Sequence, residues 1–215
     1  MEDEFQHCLC REYLGALSER LEEVLPGRGI SVRERIEALY PAIIAEHKGW
    51  AVDPQSRFHL FMSAVALAAH RVLSEHINDR DILLDILRYA HVEGSRRFQM
   101  VAQMLEAMLR KSPDTFRTLV QYTKEIEIER YGKTFVFEHE RDDDTCFYSN
   151  VTRCFYHDFF KANSASELTR PFCDADEIWM DVLQHGEFGV WCRRPTTIGY
   201  GGDKCRFQLV RIGKR

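Results

Sequence analysis

Three cysteines in this chain sit beside charged residues in a way that suits covalent or acid–base chemistry. Arg153 precedes Cys154, Arg206 follows Cys205, and Cys173 is followed three and four residues later by Asp176 and Glu177. A cysteine nucleophile needs a thiolate fraction and room for approach. A neighbouring guanidinium or a helix N-terminus supplies the positive potential that favours the thiolate. The run Phe172–Leu183 reads as one helix with Cys173 near its start. On that reading Cys173, Asp176 and Glu177 share a helical face. One carboxylate could then shuttle a proton while the other orients an amine or a water. The ordinary readings stand beside these, since cysteine packs well in interiors and an aspartate there can cap a helix or carry surface charge.

The same stretch offers binding groups. Arg153 and Arg206 are suited to a small carboxylated substrate through bidentate contacts. Tyr148 and Tyr156 would add hydroxyls and an apolar wall; salt bridges and aromatic packing are the plain alternatives. Cys154, Cys173, Cys205 and Asp176 could supply four ligands to a divalent metal if the fold gathered them, although their spacing matches no standard zinc motif. His157 and His185 are candidate bases, yet neither is spaced diagnostically from a cysteine. Asp142, Asp143 and Asp144 read as a solvated turn rather than a calcium loop. Cys8 and Cys10 are too close for a zinc knuckle, and His59 and His70 are not i,i+4 partners. No phosphate-binding glycine loop, dinucleotide fingerprint, serine-hydrolase elbow or nucleic-acid module is present, so no cofactor is assigned.

These residues need elements to hold them. Apolar periodicity predicts helices over Glu12–Val24, from Ser31 (with Glu34 completing a capping box), over Phe58–Leu73, from Ile82 with a bend before Phe98–Leu109, and from Thr115 towards Arg130. The pattern then changes. Phe135 and Phe137 alternate with polar positions, and with Cys146–Thr152 they form a predicted antiparallel hairpin. A short aromatic helix over Cys154–Ala162 and the Phe172–Leu183 helix follow. Glu187–Cys192 and Cys205–Val210 are the last strands, joined by a Gly-rich connection over Arg193–Gly202 that could serve as a lid or site loop. The expected class is α+β: a helix-rich N-terminal half packed with a C-terminal antiparallel sheet of strand-strand-helix-helix-strand-strand order. With no clean linker, residues 1–215 read as one compact domain, with 1–130 the helix-rich part and 131–215 the site-bearing α+β part.

Composition narrows the setting. The 215 residues carry 29 basic and 34 acidic side chains, a net charge of −5 that argues against a nucleic-acid partner. No apolar run approaches the ~18 residues of a membrane span, and the acidic start does not read as a secretory signal. Seven cysteines, an odd number, in a chain large enough to fold without staples point to reduced thiols and a cytoplasmic location. Oligomeric state is not legible.

Asn150-Val151-Thr152-Arg153-Cys154, then Cys173-Asp174-Ala175-Asp176, then Gly202-Asp203-Lys204-Cys205-Arg206-Phe207 resemble motifs of the L-2-amino-thiazoline-4-carboxylic acid hydrolase family. The resemblance covers much of 133–210. It implies hydrolysis of a small cyclic thiazoline or a related carbon–nitrogen or ring carbon–sulfur compound. In the family reaction, L-2-amino-thiazoline-4-carboxylate opens towards N-carbamoyl-L-cysteine. Carried onto this chain it makes Cys154, Cys173, Asp176, Asp203 and Cys205 candidates for the chemistry, with Asp176 or Asp203 activating water and Arg153 or Arg206 holding the carboxylate. The partner it implies is a small carboxylated or sulfur-containing molecule. The alternatives of another class are a non-catalytic small-ligand-binding protein and a redox-sensitive structural protein.

Overall fold

The computed structural model describes residues 2–98, 100–184 and 187–213. Four helices open the chain: α1 (Glu2–Val24), α2 (Gly29–Glu46), α3 (Pro54–Ser74) and α4 (Arg80–Phe98). Next come α5 (Met100–Lys111), α6 (Thr115–Glu129), and the strands β1 (Val136–Asp142) and β2 (Cys146–Arg153). The helices α7 (Phe155–Ala162), α8 (Thr169–Ala175) and α9 (Glu177–Gln184) precede β3 (Val190–Arg193) and β4 (Cys205–Arg211). The class is α+β, with an antiparallel sheet late in the chain and helices between its two strand pairs, in agreement with the sequence reading. The chain divides into two compact units. One is Met1–Phe98 with Tyr156–Ala175; the other is Gln99–Phe155 with Asp176–Arg215.

The first unit is helical. Its central helix, α3, begins where Asp53 accepts the Ser56 backbone N–H at 2.6 Å and Ser56 Oγ accepts the Asp53 N–H at 2.9 Å. That reciprocal pair, with Pro54 in the first turn, satisfies donors that an uncapped helix would leave open. Leu60, Val65, Leu67, Val72 and Leu73 are buried, each stabilising the fold by roughly 1.5–3 kcal/mol relative to exposure. Gly94 is needed for a different reason. A Cβ there would lie 2.9 Å from the Tyr13 Cα, so glycine lets α4 approach the backbone of α1. The expected capping box at Ser31 is not formed; helix α2 starts earlier, and Ser31 Oγ donates to the Arg28 carbonyl. Pro41 lies inside α2 without dividing it; the two helical segments expected to meet at a bend before Phe98 are α4, which runs to Phe98, and α5, which starts at Met100.

The second unit is built on a four-stranded antiparallel sheet of order β1-β2-β4-β3. Its core joins Leu105, Leu109, Phe116, Leu119, Phe147, Met180, Leu183, Val190 and Leu209, from both helices and strands. Helix α6 is capped by Asp114, whose Oδ1 accepts the Arg117 N–H at 3.1 Å. Of the three aspartates expected to make the hairpin turn, Asp143 and Asp144 do so with Thr145, while Asp142 ends β1 opposite Phe147. Asp143 accepts the backbone N–H groups of Thr145 and Cys146, and these bonds, after those from the Thr145 hydroxyl and Arg141, hold its carboxyl well below the usual range.

The helix predicted over Phe172–Leu183 is two helices. Helix α8 begins at Thr169 and ends at Ala175; Asp176 is a turn residue whose carbonyl accepts the Met180 N–H at 3.2 Å, and α9 starts at Glu177. Cys173 is therefore in the last turn of α8 and not at a helix N-terminus. Asp176 and Glu177 do not continue its face.

Candidate functional site

Strand alternation gives the sheet two chemically different faces. Opposed pairs Phe147–Leu209, Ser149–Phe207 and Val151–Cys205 lie on one face; Tyr148–Gln208 and Asn150–Arg206 lie on the other. On the first face a cavity of about 140 Å³ is bounded by the sheet, α5, α6 and α9. Phe137, Phe147, Trp179, Phe207, Leu105 and Leu209 make most of its apolar wall. Helix α6 contributes Tyr122, Thr123, Ile126, Glu127 and, just past its end, Arg130. Residues three and four apart on a helix face the same way, which is why one stretch supplies so much of one wall.

Two carboxylates reach this cavity. Glu127, whose side chain is 9% exposed, accepts from the Ser149 hydroxyl at 2.6 Å; its other oxygen lies 2.8 Å from His139 Nε2. Asp176 accepts from Arg194 Nη1 at 2.8 Å. The Arg194 side chain is 8% exposed and its guanidinium lies 5.7 Å from the centre of the Phe207 ring. A buried guanidinium beside a carboxylate fixes both its charge and its direction. Tyr131, also on the cavity, is pushed well above the usual tyrosine range by burial and then by the negative charge of Asp176, with Cys154 and Glu127 adding to it and Arg130 opposing. Burial pushes the Cys192 thiol up to about 12; it is a packing residue of the core. The Tyr122 hydroxyl is buried and has no hydrogen-bond partner among the described residues.

The residues expected from the sequence are distributed differently. Asp176 lines the cavity, and none of the seven cysteines does. Cys154 follows β2 and is half-buried. Cys205 opens β4, buried, and its sulfur accepts the Ile198 N–H at 3.3 Å. Arg153 is exposed at the end of β2. Arg206 and Asp203 hold each other through two hydrogen bonds of 2.7 and 3.0 Å, and Arg206 also donates to Thr196 Oγ1. Tyr148 shares the Arg206 face of the sheet. Cys173 and Tyr156 belong to the helical unit, where the Tyr156 hydroxyl lies 2.9 Å from His59 Nδ1 and its ring packs on Phe172. His157 Nδ1 is 3.5 Å from the Thr169 hydroxyl, and His185 lies outside the described residues. No disulfide joins the cysteines. Among the described residues no three His, Cys, Asp or Glu side chains gather as metal ligands, so the four-ligand set of Cys154, Cys173, Cys205 and Asp176 is not assembled.

Glu127, Ser149, His139, Arg130 and Arg194 were not singled out by sequence reasoning. A signal existed for the first two: a glutamate in register with the apolar stripe of α6, and a serine between Phe147 and Val151 on the apolar side of β2.

No curated protein matches this chain. Among solved structures it is similar to a Fe(II) unliganded H-NOX protein from K. algicida, at 10% identity over 96% of each chain with a TM-score of 0.38. It is also similar to an H-NOX protein from S. oneidensis in the Fe(II)NO ligation state, at 13% identity over 91% of this chain and 97% of that one, with a TM-score of 0.33. Similarity at that level carries no argument. The sequence profile of the L-2-amino-thiazoline-4-carboxylic acid hydrolases matches residues 57–209, which include the helix α6, the whole cavity face of β2 and β4, and Asp176. By that match, which spans most of its length, the chain belongs to the L-2-amino-thiazoline-4-carboxylic acid hydrolase family.

Proposed function

We propose that this protein hydrolyses a small cyclic thiazoline or a related ring compound in the cavity beside the sheet, with L-2-amino-thiazoline-4-carboxylate the first substrate to test. The observation that carries this reading is a carboxylate, Asp176, held by a buried arginine on the wall of a ring-sized cavity in a member of this family. A cavity of this size lined by leucine, isoleucine and phenylalanine side chains accepts one small ring.

In the proposed reaction Asp176 takes a proton from a water as its oxygen adds to C2 of the ring, the amidine-like carbon between nitrogen and sulfur. The C2–S bond then breaks. The sulfur leaves with the proton that Asp176 removed, the proton of the new C2 hydroxyl ends on the ring nitrogen, and C2 with its carbonyl oxygen and two nitrogens becomes the carbamoyl group. One water is consumed, and N-carbamoyl-L-cysteine is the product. Arg194 keeps Asp176 oriented, and the apolar wall excludes bulk water from the addition intermediate. Cys154 and Cys205 need no covalent role in this scheme.

Product detection by mass spectrometry with purified protein tests it. Asp176→Asn should lower kcat/KM about 10²- to 10⁴-fold, the usual worth of a positioned base. Wild-type protein that makes no product from thiazolines, hydantoins or small cyclic amides would overturn the hydrolase reading. Saturable binding without turnover would establish the ligand-binding alternative instead.

A further inference from the structure

We infer that α6 alone reads the two charged ends of the substrate, with Glu127 taking the cationic amidine and Arg130 the carboxylate. The inference rests on the hydrolase reading and adds to it the residues that set specificity. Glu127 and Arg130 are three residues apart on one helix, so they are neighbours on its surface, about 5–6 Å apart between Cβ atoms. A five-membered ring with an amidine carbon and a carboxylate on a nearby ring carbon spans a comparable distance.

The two residues do not satisfy each other. The Glu127 oxygens are turned to Ser149 and His139. Arg130 is exposed at the cavity rim and takes part in no ion pair or side-chain hydrogen bond among the described residues. The interior end of the slot thus offers a nine-tenths-buried carboxylate, and the rim offers an uncommitted guanidinium. Five residues before Glu127, the Tyr122 hydroxyl is buried without a partner among the described residues. Burying a hydroxyl unpaired costs free energy, and a polar atom of a bound ligand would remove that cost. Other arginines near the sheet are already engaged: Arg194 by Asp176, Arg211 by Asp114, and Arg206 by Asp203 on the opposite face. The ligand class this arrangement selects is a small flat heterocycle with a cationic amidine or isothiourea edge and one carboxylate on the same side. Dicarboxylates fit only one of its two ends, and neutral apolar rings fit neither.

The test compares 2-amino-thiazoline-4-carboxylate with 2-amino-thiazoline, which lacks the carboxylate, on wild type, Arg130→Gln and Glu127→Gln. For Arg130→Gln, KM for the carboxylated compound should rise about three- to tenfold, the range for a partly solvated ion pair. Its kcat should hold, and KM for the decarboxylated compound should not move. For Glu127→Gln, KM should rise for both compounds. Equal effects of Arg130→Gln on the two compounds, or none, would overturn the assignment while leaving the hydrolase reading intact. If wild type turns over neither compound, that reading falls. Calorimetric binding of the same two compounds then decides the inference by itself. A wild-type preference for the carboxylate that Arg130→Gln abolishes supports it, and no preference ends it.

Discussion

The two units bury polar groups to opposite ends. The helical unit closes over them. His91 is 7% exposed with its ring 3.9 Å from that of Phe172, and the buried Asp174 accepts from Arg88 at 2.6 Å. The sheet unit instead places Glu127 and Asp176 on the wall of a cavity, Glu127 held by Ser149 and His139 and Asp176 by Arg194. Residue types are the same in both places: carboxylate, arginine, imidazole, aromatic ring. What differs is whether a cavity adjoins the group. A polar group packed on every side by protein serves the fold's stability, and one on a cavity wall lies where a ligand can reach it.

Perturbing each region should expose this division, beginning with the largest effect. Asp176→Asn should cost activity by the factor given above and stability as well, since it takes the counter-charge from the buried Arg194 guanidinium, whereas Asp203→Asn, on the other face of the sheet, should leave kcat/KM unchanged. An equal loss in both variants would erase the distinction between the faces. Phe147→Ala lies where packing and cavity meet, since the ring is 1% exposed and belongs to both. It should destabilise the protein by about 3–5 kcal/mol in urea denaturation, as other large core truncations do.

The helical unit should answer to pH. Burial pushes the His91 imidazole down to about 4, with the negative charge of Asp174 opposing. Between the ordinary histidine value near 6.5 and that lowered value, the unfolded chain binds a proton that the folded chain refuses. The contribution of neutral His91 is therefore complete above pH 6.5 and falls away as pH drops, by about 3 kcal/mol at pH 4. Urea midpoints for wild type and His91→Gln should converge on acidification, because the variant lacks this slope; parallel slopes would mean that His91 is not held neutral. The smallest effect is expected from Asp53→Ala at the start of α3, a loss of about 1 kcal/mol in the same assay, with turnover retained.

Much of the architecture was legible because it rests on periodicity. The 3.6-residue stripes found the helices, the alternation at Phe135–Phe137 and Cys146–Thr152 found the first hairpin, and the aspartate run found its turn. The site was legible only in part. Asp176 was singled out, but through a helix that the chain interrupts there, at the residue Arg194 holds. Adjacency in sequence misled at β4, where Cys205 and Arg206 looked like a pair although consecutive strand residues point to opposite faces. Glu127 and Ser149 were passed over because each looked like a stray polar residue in an apolar pattern. They are 22 positions apart and meet only when β2 packs over α6. Such a meeting is set by tertiary packing, which no local pattern encodes.

The threading of the chain has a practical meaning for anyone dissecting the protein. Each unit is assembled from two separated stretches, with chain passages near residues 98, 155 and 175. A gene fragment ending at residue 98 would encode a helical unit missing α8 and nearly all of α7, with Phe172 absent from the ring stack on His91. A fragment starting at residue 99 would carry those helices as a tail-like excursion between β2 and α9. The cavity-bearing unit is freed of that excursion by splicing residue 155 to residue 176, which would place the new peptide bond beside Asp176 itself.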